Sequence, residues 1–297
     1  MQIKRVFQYI NSRVFNKGFL LVILTVTGLS LSAQTNNEVS LYVKGPNTKL
    51  SLGDFKRSSD IETGIGVGLN YAYAISDHWS VISGVEYQKF SGNAYFDTLT
   101  DSFGTVDAEQ ESFVFNYAFS QLKEQVDAEY LNIPLKVQYE TLGDIRFYAA
   151  AGVKMGVTIS AKSESNAGSL QTSGYYEQYN VELEAPMFMG FGDFGSFSGS
   201  TSDIDFKSNF ILNFESGMKM LFDQNNSIYV GLFVDYGLND IRKGSAAGSL
   251  LSYNVENPSE FQIGSVLNSR NLEQNTDYVD EVKTLAFGVK LRYGFSW

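Results

Sequence analysis

The chain has 297 residues, of which 33 are acidic and 22 basic, and it contains no cysteine. The lack of cysteine excludes disulfides, thiolate metal sites and a cysteine nucleophile, and the acidic balance makes nucleic acid a poor partner. Hydrophobic residues make up 43% of the chain and aromatic residues 14%, a composition that argues against disorder and favours strands.

The first 33 residues predict a secretory signal peptide. Four basic residues precede an apolar stretch at 18–31, and Ala33 marks the expected cleavage point. A membrane-spanning helix needs about 20 apolar residues, so this shorter stretch favours a cleaved signal over an anchor. We therefore expect residues 34–297 to form the mature protein.

Eight segments of the remaining chain alternate apolar and polar residues with a period of two. This pattern is typical of strands with two unlike faces. The segments are 39–52, 61–75, 79–90, 130–141, 145–160, 206–222, 227–239 and 282–297.

Short and long connectors alternate between these segments. The short ones are 76–78, 142–144 and 223–226, and the long ones are 53–60, 96–127, 164–205 and 242–281. In an up-and-down meander, alternation places all the short connectors at one end. The sequence therefore predicts an all-β fold: an eight-stranded antiparallel up-and-down transmembrane β-barrel with short periplasmic turns and long outer loops.

One face of each predicted strand is apolar, and the other carries charges among glycines. An eight-stranded barrel is just wide enough for side chains to fill. We therefore expect the apolar face to contact outer-membrane lipid and the charged face to plug the lumen. The predicted lumen charge network is Glu62, Glu86, Lys136, Arg146, Lys154, Glu215, Lys219, Asp235, Lys290 and Arg292.

A soluble barrel or sandwich, with the apolar face inward, is the competing interpretation. Three features favour the membrane. The apolar runs are longer than an ordinary strand needs, the polar faces carry few charges for a solvated surface, and aromatic residues cluster near the short connectors as in an interfacial girdle.

The chain ends in the alternating segment LAFGVKLRYGFSW, residues 285–297. Its last outward residues would be Tyr293, Phe295 and Trp297. An aromatic final residue on such a strand resembles the signal read by the barrel assembly machinery, so we expect that machinery to be a partner during biogenesis.

Two further segments support a family resemblance. The segment YLNIPLKVQYE, residues 130–140, and the glycine-rich segment 64–92 resemble strands of the small outer-membrane β-barrel family of Bacteroidetes, often called PorT-like. The chain is more distantly similar to OmpX/OmpA-type barrels. The resemblance implies a monomeric barrel in the outer membrane of a Gram-negative bacterium. Some relatives support protein secretion, but the residues that resemble the family do not imply that role for this chain.

No motif indicates catalysis, a cofactor or a metal. The one histidine, His78, lies in a predicted turn at the end opposite the outer loops. The long loop 164–205 holds seven acidic residues and no basic ones, but no spacing matches a calcium loop. Its segment 187–199, MFMGFGDFGSFSG, either packs as part of a strand extension or forms an exposed apolar patch.

We expect a non-enzymatic structural or surface-interaction role through the outer loops. An accessory role in protein secretion and an outer-leaflet lipid-modifying enzyme are the alternatives.

Overall fold

The computed structural model describes residues 37–52, 61–244 and 248–297, apart from the side chains of residues 199 and 200. The expected signal peptide, residues 1–33, and the expected loop 53–60 lie outside the described residues. Eight long strands form the framework. They are β1 Glu38–Leu52, β2 Gly66–Ala74, β3 Trp79–Val106, β4 Ser112–Glu140, β5 Ile145–Ala167, β6 Asn209–Leu221, β7 Asn226–Gly237 and β8 Val282–Ser296.

All pairings between these strands are antiparallel. Each strand pairs with its neighbours in the chain, and β8 pairs with β1, so the pairings return on themselves. The ring is uneven: β1 pairs with β2 only over Glu38–Lys44, whereas β3 and β4 pair as far as Val106 and Ser112. The expected all-β, antiparallel fold is confirmed. The space enclosed by the ring is termed the lumen below.

Shorter elements lie in the connections at the end of the ring opposite the short connectors. The strands are Glu62–Thr63, Ser169–Tyr176, Val181–Leu183, Gly192–Asp193, Phe197–Asp203, Leu251–Ser252, Gln262–Ile263, Arg270–Asn271 and Thr276–Asp277, and Met187–Met189 forms one 3-10 turn. In the part of the chain that the structure describes, no helix has the length and apolar character needed to cross a membrane.

Near the short connectors, the long strands turn mostly apolar side chains outward. In β4 the exposed outward residues are Leu131, Ile133, Leu135, Val137 and Tyr139. Asn132, Lys136 and Gln138 alternate with them and are buried in the lumen. Side chains alternate between faces in a strand, so one sequence supplies both surfaces. This section is termed the belt. It comprises 38–45, 66–74, 79–88, 131–140, 145–159, 209–221, 226–237 and 287–296.

Beyond the belt, the polarity of the two faces is exchanged. In β4, Phe115, Phe119 and Val126 point inward and are buried, whereas Gln125 on the outward face is exposed. The same exchange occurs in β3, where inward Glu86 and Gln88 give way to Phe90. The described residues of 46–52, 61–65, 89–130, 160–208 and 238–286 are termed the cap. Their inward faces form one hydrophobic core.

The cap corrects the prediction of a long loop at 96–127. This region is a strand hairpin, in which β3 runs to Val106, β4 starts at Ser112, and 107–111 form the turn. The alternation persists there, but with the apolar face inward. Strands of 28 and 29 residues exceed the 9–11 that a bilayer crossing needs.

The other two described long connectors differ from each other. In 164–205, β5 continues to Ala167 and Phe197–Asp203 pairs back onto it, so much of the expected loop is sheet. In 242–281, the described residues form only two-residue strands and turns. Val266 and Leu250 from this connector are nonetheless buried in the cap core.

Candidate functional site

Four charged side chains from four strands meet in the lumen of the belt. The Lys44 ammonium lies 2.9 Å from Glu86 and also bonds Asp235. The Lys154 ammonium lies 2.9 Å from Glu86 and 2.8 Å from Asp235. Each cation therefore touches both anions, and all four side chains are buried. We term these four residues the quartet.

Neutral donors complete the coordination of the two quartet carboxylates. Tyr42 donates its hydroxyl to Glu86 at 2.7 Å, and the Asn132 amide donates to the other Glu86 oxygen at 2.9 Å. The Asn213 amide donates to Asp235 at 2.6 Å. A buried carboxylate is tolerated only when it is paired and hydrogen-bonded, and these contacts meet that requirement.

Glu215 is the centre of a second layer. It accepts from Lys290 at 2.9 Å, from Lys136 at 3.1 Å and from the Tyr148 hydroxyl at 3.2 Å. Two ammonium groups thus share one carboxylate. Lys290 also lies 3.8 Å from the centre of the Tyr42 ring, and this cation–π contact offsets part of the excess positive charge.

Arg292 forms the next layer toward the short connectors. Its guanidinium lies 3.5 Å from the centre of the Tyr229 ring and 5.2 Å from that of Tyr148. It donates to the Gln138 side-chain oxygen at 2.9 Å. Among the described residues no carboxylate forms an ion pair with Arg292, and the aromatic faces and the amide oxygen hold this cation.

Glu38 and Glu140 close the network at the end near the short connectors. Lys219 bridges them at 3.2 and 3.4 Å, and Arg146 binds Glu140 at 2.8 Å. Tyr229 donates its hydroxyl to Glu38 at 2.5 Å. The layers together fill the lumen of the belt with paired charges and aromatic rings.

The structure brings nine of the ten predicted network residues into these layers and leaves one outside. Glu62 lies on the short strand Glu62–Thr63 and is half-buried, and it accepts a hydrogen bond from Asn93. Its strand pairs with β1 at Thr48, on the cap side of the quartet, and the described residues show no ion pair between Glu62 and the other nine. Its inclusion is corrected on that ground.

The predicted network omits three of its charged members, Lys44, Glu38 and Glu140. Lys44 directly precedes Gly45-Pro46 on β1, where the alternation is weak, and Glu38 is the first residue of the same strand. Alternation along β1 could have identified Lys44 and Glu38, because every second residue lies on the inward face. That face consists of Glu38, Ser40, Tyr42 and Lys44, and all four are buried.

The predicted assembly residues Tyr293, Phe295 and Trp297 are exposed on the outer face at the end of β8. The Phe295 and Trp297 rings lie 6.3 Å apart, and Trp297 lies 6.3 Å from Tyr71. These residues therefore belong to an exposed aromatic group at the edge of the belt.

The cap is strongly anionic. The segments 90–122, 163–206 and 244–269 contain acidic residues but no lysine, arginine or histidine. Within the described ranges, no group of three or more His, Asp or Glu side chains is placed to hold a metal ion. The cap therefore presents a negative surface to any approaching partner.

Two buried carboxylates fix the connector 242–281 to the hairpin of β3 and β4. Asp101 accepts from the backbone N–H groups of Leu272 and Glu273 at 2.9 and 3.0 Å. Glu124 accepts from the backbone N–H of Val266 at 2.8 Å and from the Ser265 hydroxyl. Burial raises the pKa of Glu124, because the charged form loses its water.

No protein-family model and no curated protein matches the chain. Among solved structures, the chain is similar to Ail, the attachment invasion locus protein of Yersinia pestis, crystallised with the heparin analogue sucrose octasulfate. The identity is 12% and the TM-score 0.32, over 89% of this chain and 100% of that one. Neisserial surface protein A is similar at 11% identity and a TM-score of 0.31, over 88% of this chain and 96% of that one. These values assign neither family nor activity, and the PorT-like resemblance stays a prediction.

Proposed function

We propose that the chain is an integral outer-membrane protein, in which the ring of strands is an eight-stranded barrel that crosses the bilayer and the cap is a surface-interaction domain outside it. One observation carries the proposal. The two faces of the sheet exchange polarity at the boundary between belt and cap. The belt is apolar on its outer face and charged inside, whereas the cap is polar on its outer face and apolar inside.

The belt has the surface that a bilayer requires. Apolar side chains are exposed on all eight strands, for example Leu41, Leu69, Leu135, Phe147 and Leu232. Soluble monomers rarely expose contiguous apolar patches of more than a few hundred Å². Because the pairings return on themselves, the backbone polar groups of the belt are satisfied within the sheet, as lipid requires.

The two edges of the belt carry the residues typical of membrane interfaces. At the edge near the short connectors the exposed aromatics include Tyr71, Trp79, Tyr139 and Trp297. At the edge toward the cap, outward-facing lysines occur on several strands or beside them, namely Lys49, Lys89, Lys162, Lys207 and Lys283. Aromatic rings and lysines both favour the boundary between hydrocarbon and water.

Localisation in the outer membrane is part of the proposal. It is supported by the predicted signal peptide and by the exposed aromatic end of β8 at Tyr293, Phe295 and Trp297. In this arrangement the short connectors face the periplasm, and the assembly machinery reads β8. The cap then faces the outside of the cell.

The role proposed for the cap is interaction and not catalysis. The sulfated sugar crystallised with Ail is not proposed as a ligand here, because the three cap segments without basic residues would repel it. Secretion assays and lipid A mass spectra of a knockout strain test the two alternative roles. A secretion defect would favour a role in secretion over surface interaction. An altered lipid A would favour lipid modification.

Two spin labels on the outward face of β4 test the membrane assignment. Since the chain has no cysteine, Leu135→Cys in the belt and Gln125→Cys in the cap each give a single attachment site. We expect oxygen, which partitions into lipid, to relax the label at 135 more than a water-soluble nickel chelate does, and the opposite at 125. If both labels were relaxed mainly by the chelate, the belt would not lie in lipid.

A further inference from the structure

A cleft of about 740 Å³ opens at the tip of the cap. Three segments that are distant in sequence form it: the turn 107–111 between β3 and β4, residues 176–189, and residues 253–258. Its size lies within the usual range for a ligand pocket. None of the described residues that line the cleft belongs to the charged network of the lumen. That network already has a role in the belt, whereas the cleft has none so far.

The walls of the cleft are aromatic and held in place by the cap core. Tyr176 stacks on Phe113 with ring centres 5.1 Å apart, and Tyr253 meets Phe113 edge-on at 5.1 Å. Tyr176 donates its hydroxyl to Asp107 at 3.0 Å, and Tyr179 donates to Glu111 at 2.8 Å. The rings are therefore oriented before any ligand arrives.

One lip of the cleft is apolar and exposed. Phe188 is 74% exposed, and Val181 and Tyr179 are also exposed. Phe188 lies in the 3-10 turn that ends at Gly190, which has a φ of 82° and packs so closely on Pro258 that a side chain there would meet its carbonyl oxygen. A large aromatic side chain is thus displayed to solvent on a fixed turn.

The rim of the cleft is acidic. Asp107, Glu109, Glu111 and Glu256 line it, and no lysine or arginine is among its described lining residues. Exposed aromatic rings beside carboxylates complement a group that combines a positive charge with an apolar body. A cation over a tyrosine face is attracted by the negative face of the ring, and nearby carboxylates add to that attraction.

We propose that this cleft binds a peptide segment of a partner protein in which arginine or lysine adjoins a large apolar side chain. The apolar side chain packs between Phe188 and the tyrosine walls, and the cation contacts the rim. The inference rests on the proposed function, because it names the partner chemistry of the surface-exposed cap.

Binding of three labelled hexapeptides to the full mature protein in phosphatidylcholine nanodiscs tests the inference. The first alternates arginine and tryptophan, the second replaces arginine with glutamate, and the third replaces tryptophan with serine. We expect the first to bind at least about tenfold more tightly than either of the others, because only it supplies both charge and apolar surface. Fluorescence anisotropy gives the dissociation constants.

Two variants in the cleft and one matched control locate the binding. We expect Phe188→Ser, and separately the pair Glu109→Gln and Glu256→Gln, to weaken binding of the first peptide by about tenfold. The control pair, Glu164→Gln and Asp203→Asn, removes the same charge from exposed cap positions outside the cleft, and it should change binding by no more than about twofold.

Four results would overturn the inference. They are no binding of the first peptide, equal binding of the serine peptide, equal binding of the glutamate peptide, and equal weakening by the cleft and control pairs, which would indicate attraction by overall charge. The spin labels at 135 and 125 are read on the same preparations. If they report the belt in lipid and the first peptide does not bind, the cleft inference fails while the proposed function stands.

Discussion

At the scale of single residues, the quartet is a site where each buried cation is shared by two buried carboxylates. Lys154 touches Glu86 and Asp235, and both carboxylates are buried. If the Lys154 ammonium were removed, Lys44 would be the one remaining cation of the quartet for both carboxylates. Removing one partner from a buried ion pair is strongly destabilising, because the remaining charge is left uncompensated.

We therefore expect Lys154→Met to lower the free energy of unfolding by about 3–5 kcal/mol. Urea titration of the protein in lipid vesicles, followed by tryptophan fluorescence, measures the change. Lys243→Met is the matched control, since the Lys243 side chain is 62% exposed on the cap, and it should change stability by no more than about 1 kcal/mol, the upper range for an exposed ion pair. Equal effects of the two substitutions would contradict the role assigned to the quartet.

A second residue-scale prediction concerns the outward face of β8. Leu291 is exposed next to buried Lys290 and Arg292, and near the middle of the belt. A charge there would have to enter hydrocarbon, so Leu291→Arg should destabilise the protein by about 2–4 kcal/mol. Gln125→Arg, on the outward face of the cap, should change stability by no more than about 0.5 kcal/mol. The same urea titration compares them, and a harmless Leu291→Arg would show that this face is not in lipid.

At the scale of elements, the hairpin of β3 and β4 is the support of the cap. Glu124 on β4 holds the connector 242–281 through the Val266 N–H and the Ser265 hydroxyl. Burial raises the pKa of Glu124 above its ordinary value of 4.5. The folded state therefore binds this proton more tightly than the unfolded state does. The connector is therefore held most strongly at pH values below the ordinary pKa of Glu124. This stabilisation is lost as the pH rises through the raised pKa of Glu124 in the folded protein.

Glu124→Gln tests this pH dependence, because glutamine keeps the size and one acceptor oxygen but cannot ionise. We expect the Val266 amide of the native protein to be better protected from hydrogen exchange at about pH 5 than at about pH 7, after correction for intrinsic rates. In the variant this difference should shrink. If the two proteins had the same pH profile, another group would control the docking of the connector.

At the scale of the whole molecule, charged and aromatic side chains fill the lumen of the proposed barrel. The quartet, Glu215 and Arg292 occupy successive levels, and an eight-stranded barrel has room only for such side chains. We expect the purified protein to conduct no ions when incorporated into a planar lipid bilayer. Regular current steps that persist after purification from a porin-free strain would contradict the closed lumen.

Much of the belt was predictable from sequence, because each strand contains its own pattern. Leu131, Leu135 and Lys136 alternate within one segment, and the alternation alone assigns them to opposite faces. The cap was not predictable in the same way. Phe115 and Phe119 follow the same period, but their large side chains point to the lumen, and a period of two does not say which face is inside.

The sequence by itself determined that this protein is built from strands with one apolar and one polar face, because strand periodicity is a local property. Only the tertiary structure decided which charges meet and what the outer connectors form. Lys44 and Asp235 are 191 positions apart and become partners only when the ring closes. The cleft likewise needs three separate segments at one place. Contacts between remote segments depend on strand order and register, which no single segment encodes.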